Sequence, residues 1–113
     1  MGTLNAKLTL NDSDATKRSI EKAITYTEKK ELTVHLIDTD GTISFTFSEI
    51  AAAADVAALL ITSAVTDGIS ATINGQAVLV DSLMFTHLTA LTSLTLSTTD
   101  TTGGNVTVTI WTV

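Results

Sequence analysis

Cysteine and proline are both absent from this 113-residue chain. Without cysteine there is no disulfide framework, no thiolate metal site and no thiol nucleophile, and nothing points to an oxidising compartment. Stability must come from packing or from partners. Without proline, the rigid turns common in loop-rich extracellular β-proteins are missing. Aromatic residues are confined to Tyr26, Phe45, Phe47, Phe85 and Trp111. Together with a net charge of −6, this scarcity disfavours nucleic-acid binding, which needs cationic grooves and stacking platforms. The longest uncharged window, residues 82–99, is interrupted by Thr and Ser and alternates, so no membrane span is expected. Residues 1–10 lack the basic leader and continuous apolar run of a signal peptide, which predicts a soluble intracellular protein.

Basic residues also stop early. Lys7, Lys17, Arg18, Lys22, Lys29 and Lys30 all precede Glu31. Six bases against four acids give residues 1–30 a charge of +2, whereas residues 31–113 carry eight acids and no base, −8. This polarity suits head-to-tail contacts in which a basic N-terminal segment lies on an acidic neighbour; the plain alternative is a sparsely charged, solvated surface.

What the chain has in surplus is threonine, 23 residues of it, a β-former suited to half-exposed strand faces. The length predicts a single domain over residues 1–113, with residues 1–30 as a basic N-terminal segment or arm. The clearest local signal is ISATINGQAVLV at residues 69–80. Asn-Gly supplies the two positive-φ residues of a type I′ turn, so Ile73 is expected to pair with Gln76, Ala71 with Val78 and Ile69 with Val80. One face of this hairpin is then apolar and must be covered by another sheet, while Ser70, Thr72, Ala77 and Leu79 form a mixed opposite face.

Residues 3–10 alternate, with Leu4, Ala6, Leu8 and Leu10 on one side, as a half-buried strand does. Residues 11–19 read as a loop with room for one helical turn capped by Ser13 or Asp14. Residues 20–27 fit either a helix face or a strand, and strand is favoured; the charged run 28–31 reads as a turn. Residues 32–37 and 42–47 read as a second hairpin around Asp40-Gly41, and the alanines of 48–55 as a short helix. Runs at 57–63, 82–88, 92–98 and 105–113 complete the set, the last with Val106, Val108 and Ile110 opposite Thr107, Thr109 and Trp111. The expected fold is all-β: an antiparallel β-sandwich, jelly-roll-like, of eight or nine short strands with at most one short helix.

Candidate chemistry is thin. Residues 36–43, LIDTDGTI, resemble the first motif of the haloacid dehalogenase-type phosphatases, but the downstream lysine and acidic metal pair that such chemistry needs have no counterpart here. Asp38 and Asp40 lack the further ligands of an EF-hand. His35 and His87 have no second ligand at i+2 to i+4. No nucleophile elbow accompanies the many serines, and Gly103-Gly104 opens no helix that would hold a phosphate. No catalytic, metal-binding or cofactor-binding residue is assigned. Trp111 is read as a core or subunit-interface residue, with a sugar-stacking surface as the alternative.

Residues 57–61 (AALLI), 71–75 (ATING), 91–96 (LTSLTL) and 105–110 (NVTVTI) resemble, over residues 55–113, small β-sandwich virion proteins of tailed bacteriophages. The resemblance implies a non-enzymatic structural protein. The first expectation is a capsid decoration (cement) protein that stabilises the head through inter-subunit contacts. The alternatives are a small tail or baseplate component, or a carbohydrate-binding host-recognition module. It implies a homo-oligomer, with a trimer favoured, and other virion proteins such as the major capsid protein as partners, with no nucleic acid, membrane or cofactor. The localisation implied is the virion, assembled in the host cytoplasm. The expected partner-contact residues are Lys17, Arg18, Lys22, Lys29, Lys30 and Trp111.

Overall fold

The computed structural model describes residues 2–11, 13, 17–45, 56–87 and 91–112. Ten strands follow one another: β1 (Gly2–Asn11), β2 (Lys17–Tyr26), β3 (Glu28–Leu36), β4 (Ile43–Phe45), β5 (Val56–Ser63), β6 (Ile69–Ile73), β7 (Gln76–Val80), β8 (Leu83–His87), β9 (Leu94–Ser97) and β10 (Gly104–Thr112). The strands β3 to β10 form two four-stranded antiparallel sheets, in the orders β3-β10-β5-β8 and β4-β9-β6-β7. Successive strands alternate between the sheets at every step except β6 to β7. This is the strand order of an eight-stranded jelly roll. The two remaining strands pair only with each other, as a separate antiparallel ribbon.

The exception at β6–β7 has a local cause. Asn74 (φ 51°) and Gly75 (φ 83°) both adopt the left-handed conformation, so the chain doubles back at once and pairs Ile69 with Val80, Ala71 with Val78 and Ile73 with Gln76, the register that the sequence predicts. The segments at 32–37 and 42–47 are expected to form a second hairpin, but over their described residues β3 and β4 do not pair with each other. Residues Asp38–Asp40 form a 3₁₀ turn, and only Gly41 there has a positive φ. The chain therefore crosses to the other sheet, where β3 pairs with β10 and β4 with β9. The runs at 20–27 and 82–88 are strand over 20–26 and 83–87, which brings the count among the described residues to ten. The charged run 28–31 is strand rather than turn. The helix expected at 48–55 lies outside the described residues, as do four residues of the 11–19 loop, whose last three, 17–19, are already strand.

The core lies between the two sheets. Leu36, Leu59, Ile61, Val106, Val108 and Ile110 come from one; Ile69, Ala71, Val80, Leu94 and Leu96 come from the other, and all are buried. Each fully buried Leu, Ile or Val contributes about 1.5–3 kcal/mol, and no residue of the ribbon belongs to this cluster. At the outer end of the first sheet, Thr112 pairs with Val56 across a bulge, which leaves Ala57, Ala58 and Trp111 on the outer face.

Candidate functional site

The ribbon is the feature that a jelly roll does not require. Leu4 pairs with Ile24, Leu8 with Ile20, Ala6 with Lys22 and Leu10 with Arg18. Period-2 alternation therefore places Leu4, Ala6, Leu8, Leu10, Ile20 and Ile24 on one face, together with Arg18, Lys22 and Tyr26. At its base this face is covered. Ile24, Leu4 and Tyr26 pack with Trp111, Ala57, Ala58 and Leu60, and the Thr27 N–H donates to the Thr112 carbonyl at 2.6 Å where β2 passes into β3. Toward its tip the face is bare, with Leu8, Leu10 and Ile20 each 51–56% exposed. The radius of gyration is 15.1 Å, against roughly 13 Å for a compact chain of this length, which fits an element projecting from the body.

Trp111 is the anchor of this arm. It is only 5% exposed, its ring meets Phe85 edge-on at a centroid distance of 6.4 Å, and the Lys29 ammonium lies 5.8 Å from its ring centroid. Of the readings open to Trp111, its burial is that of a core residue, covered by the chain's own ribbon. Lys29 and Lys30 also leave the arm, because residues 28–30 pair with Thr112, Trp111 and Ile110 of β10. The arm ends at Tyr26 rather than at residue 30. Lys17, Arg18 and Lys22 remain on it and are exposed, and of these Arg18 and Lys22 share the apolar face, which carries no acid. The bare leucines near the tip are the part that the sequence reading missed. Their alternation signals a buried strand face, but among the described residues no second layer packs on this half of the ribbon.

The remaining chemistry-bearing residues have structural uses or stand apart. Asp40 Oδ2 accepts from the Ile37 N–H at 3.0 Å and closes the 3₁₀ turn. His35 and His87 sit on β3 and β8, opposite edges of one sheet with β10 and β5 between them, which separates them by about 14 Å or more at normal strand spacing. Among the described residues, no group of three or more His, Asp and Glu is placed to hold a metal ion.

The Asp100 side chain accepts three backbone hydrogen bonds. Its Oδ1 accepts from the N–H groups of Gly103 (2.7 Å) and Thr102 (2.8 Å), and its Oδ2 from that of Asp67 (3.1 Å). The Asp100 carbonyl accepts from Asp38 N–H, and Thr98 Oγ1 links its N–H to the Gly68 carbonyl. One residue thus ties together the 38–40, 67–68 and 98–103 turns at one end of the sandwich. The backbone donors, those of Gly103 and Thr102 first and Asp67 next, hold its carboxyl below the ordinary aspartate value of 3.8.

Beside that end, an open cleft of about 330 Å³ is lined by Asp67, Ser70, Leu79, Asp81, Ser97 and Thr99, among others. Leu79 projects from the edge strand β7 and is 87% exposed; Leu83, at the start of β8, is 64% exposed. Asp81 lies between them in the chain. The cleft is apolar and acidic where the bare face of the arm is apolar and carries Arg18 and Lys22. No protein-family model, curated protein or solved structure matches the chain.

Proposed function

We propose that the chain is a non-enzymatic structural subunit of a tailed-bacteriophage virion, a capsid decoration protein that binds the head and joins neighbouring subunits through its ribbon. The observation that carries the reading is the ribbon itself. A two-stranded ribbon is at best marginally stable alone in water, and this one leaves three large apolar side chains uncovered on its outer half. Such an element is suited to burial against another protein. The fold adds support by analogy only, since double-sheet jelly rolls build viral capsid domains as well as lectins. With Trp111 covered, the lectin reading loses the stacking surface that would favour it. A small tail component remains within the same structural class.

In this reading the protein forms a closed homo-oligomer, a trimer in the simplest case, which contacts the major capsid protein and works in the virion without cofactor, membrane or nucleic acid. Mass spectrometry of purified virions of the encoding phage, separated into heads and tails, tests it. The chain is expected with the heads in many copies. Recovery with the tails moves it to the tail, and absence from both overturns the virion role.

A further inference from the structure

We infer that the acceptor for the ribbon is a second copy of this chain, with the arm face that carries Leu8, Leu10, Ile20, Arg18 and Lys22 seated on the cleft beside Leu79 and Asp81 of the next copy. The inference deepens the proposed function and rests on it in one respect, that several copies assemble.

The argument is one of complementarity. Beyond Ala6 and Lys22 the arm continues for about five residues per strand, roughly 16 Å, and there Leu8, Leu10 and Ile20 lie uncovered. Arg18 and Lys22 flank them on the same face with no acid between. An occupant must offer exposed apolar side chains and negative charge within about the same span. The cleft beside β7 does: Leu79, the most exposed large hydrophobic of the described residues, lines it together with Asp67 and Asp81. The body from Glu31 onward contains no base to oppose the two cations. Pairing arm against arm across a two-fold axis covers the same leucines but brings Arg18 and Lys22 of the two copies together, and like charges at an interface are strongly disfavoured. The arm and the cleft are different surfaces, so the contact is head-to-tail and closes into a ring when the rotation per subunit allows.

The cysteine-free chain makes the test direct. Single variants Leu8→Cys and Leu10→Cys are each mixed with Leu79→Cys, treated with a short thiol cross-linker, and separated by denaturing electrophoresis. At least one arm–cleft mixture is expected to give a cross-linked dimer containing one chain of each variant, in clear excess over Leu8→Cys alone. In parallel, Arg18→Glu with Lys22→Glu is expected to weaken self-association about tenfold or more at low salt, and mixing with Asp67→Lys with Asp81→Lys to restore it. Cross-linking of Leu8→Cys to itself alone places arm on arm and overturns the inference. A multimer with no arm–cleft product also overturns it, yet leaves the proposed function standing on another contact surface. A chain that stays monomeric overturns the inference together with the homo-oligomer of the proposed function, whereas absence from virions overturns the virion role itself.

Discussion

Replacing Trp111 with alanine is expected to destabilise the fold by about 3–5 kcal/mol, the range for emptying a large aromatic site, and to release the ribbon from the sandwich. Trp111 is buried among Ile24, Ala57 and Ala58, with Leu4, Tyr26 and Leu60 packed around them, so its removal empties the apolar joint between the two parts. Loss of the Lys29 contact adds little, about 0.5–1 kcal/mol for an exposed cation over a ring. Urea unfolding measures the first effect. Trypsin measures the second, because every cleavage site in the chain lies at or before Lys30 and four of them, Lys7, Lys17, Arg18 and Lys22, lie in the ribbon. Cleavage at Lys22 should accelerate about tenfold as local opening becomes easier, and Trp111→Phe should recover most of both effects. A loss below about 1 kcal/mol with unchanged proteolysis contradicts the anchor.

The second large effect is expected at the turn held by Asp100. Gly103 has φ +75°, and a Cβ there would stand 2.5 Å from the Leu36 carbonyl oxygen and 2.9 Å from Ile37 Cβ. Gly103→Val therefore combines a left-handed backbone that a β-branched residue resists with overlap against backbone that cannot move aside. A cost of roughly 3 kcal/mol or more follows. The same turn makes stability depend on acid. The Asp100 carboxyl titrates below its ordinary value in the folded chain because three backbone N–H groups favour the charged form. Its contribution is thus present above the unfolded-state pKa and is lost as pH falls through the lower folded-state value. Thermal unfolding followed from pH 7 downward should show a loss beginning near the ordinary aspartate range. In Asp100→Asn the fold should be weaker at neutral pH and should lose less on acidification. Equal acid sensitivity in the two proteins would contradict this role.

Much of the fold is legible in the residues where a local rule decides. Asn74-Gly75 fixes a register because two successive positive φ values leave the chain one way to turn. Val106, Val108 and Ile110 declare the inner face of β10 by alternation alone. Legibility fails where pairing is non-local. Glu28-Lys29-Lys30-Glu31 reads as a turn, yet it begins β3, an edge strand on which charges guard against unwanted pairing and which is held by β10, about eighty residues away. Asp40-Gly41 reads as a hairpin because the dipeptide is the same as in one; the 3₁₀ turn closed by Asp40 sends the chain across the sandwich instead. Asp100 sits in a Thr-rich stretch that looks like any polar loop, and its role depends on donors contributed by residues 67, 102 and 103.

The candidate site was legible by half. Charge alone marks Lys17, Arg18 and Lys22 as an arm. Leu8, Leu10 and Ile20 look like the buried side of a sheet, because a sequence shows which side chains share a face and not whether a third strand arrives to cover it. Trp111 was marked as a residue of consequence, but its covering partner is the arm of its own chain.

The jelly roll is expected to fold alone, and the outer ribbon to assemble it. The most direct measurement is the solution mass of the full chain beside a variant in which residues 7–21 are replaced by Asn-Gly, joining Ala6 to Lys22 by a tight turn. The full chain should sediment as a multiple of its 11.8 kDa subunit mass. The shortened chain should remain folded, with an unfolding midpoint within a few degrees of the original, and sediment as a monomer at the same concentration. A shortened chain that still assembles, or one that no longer folds, would contradict it.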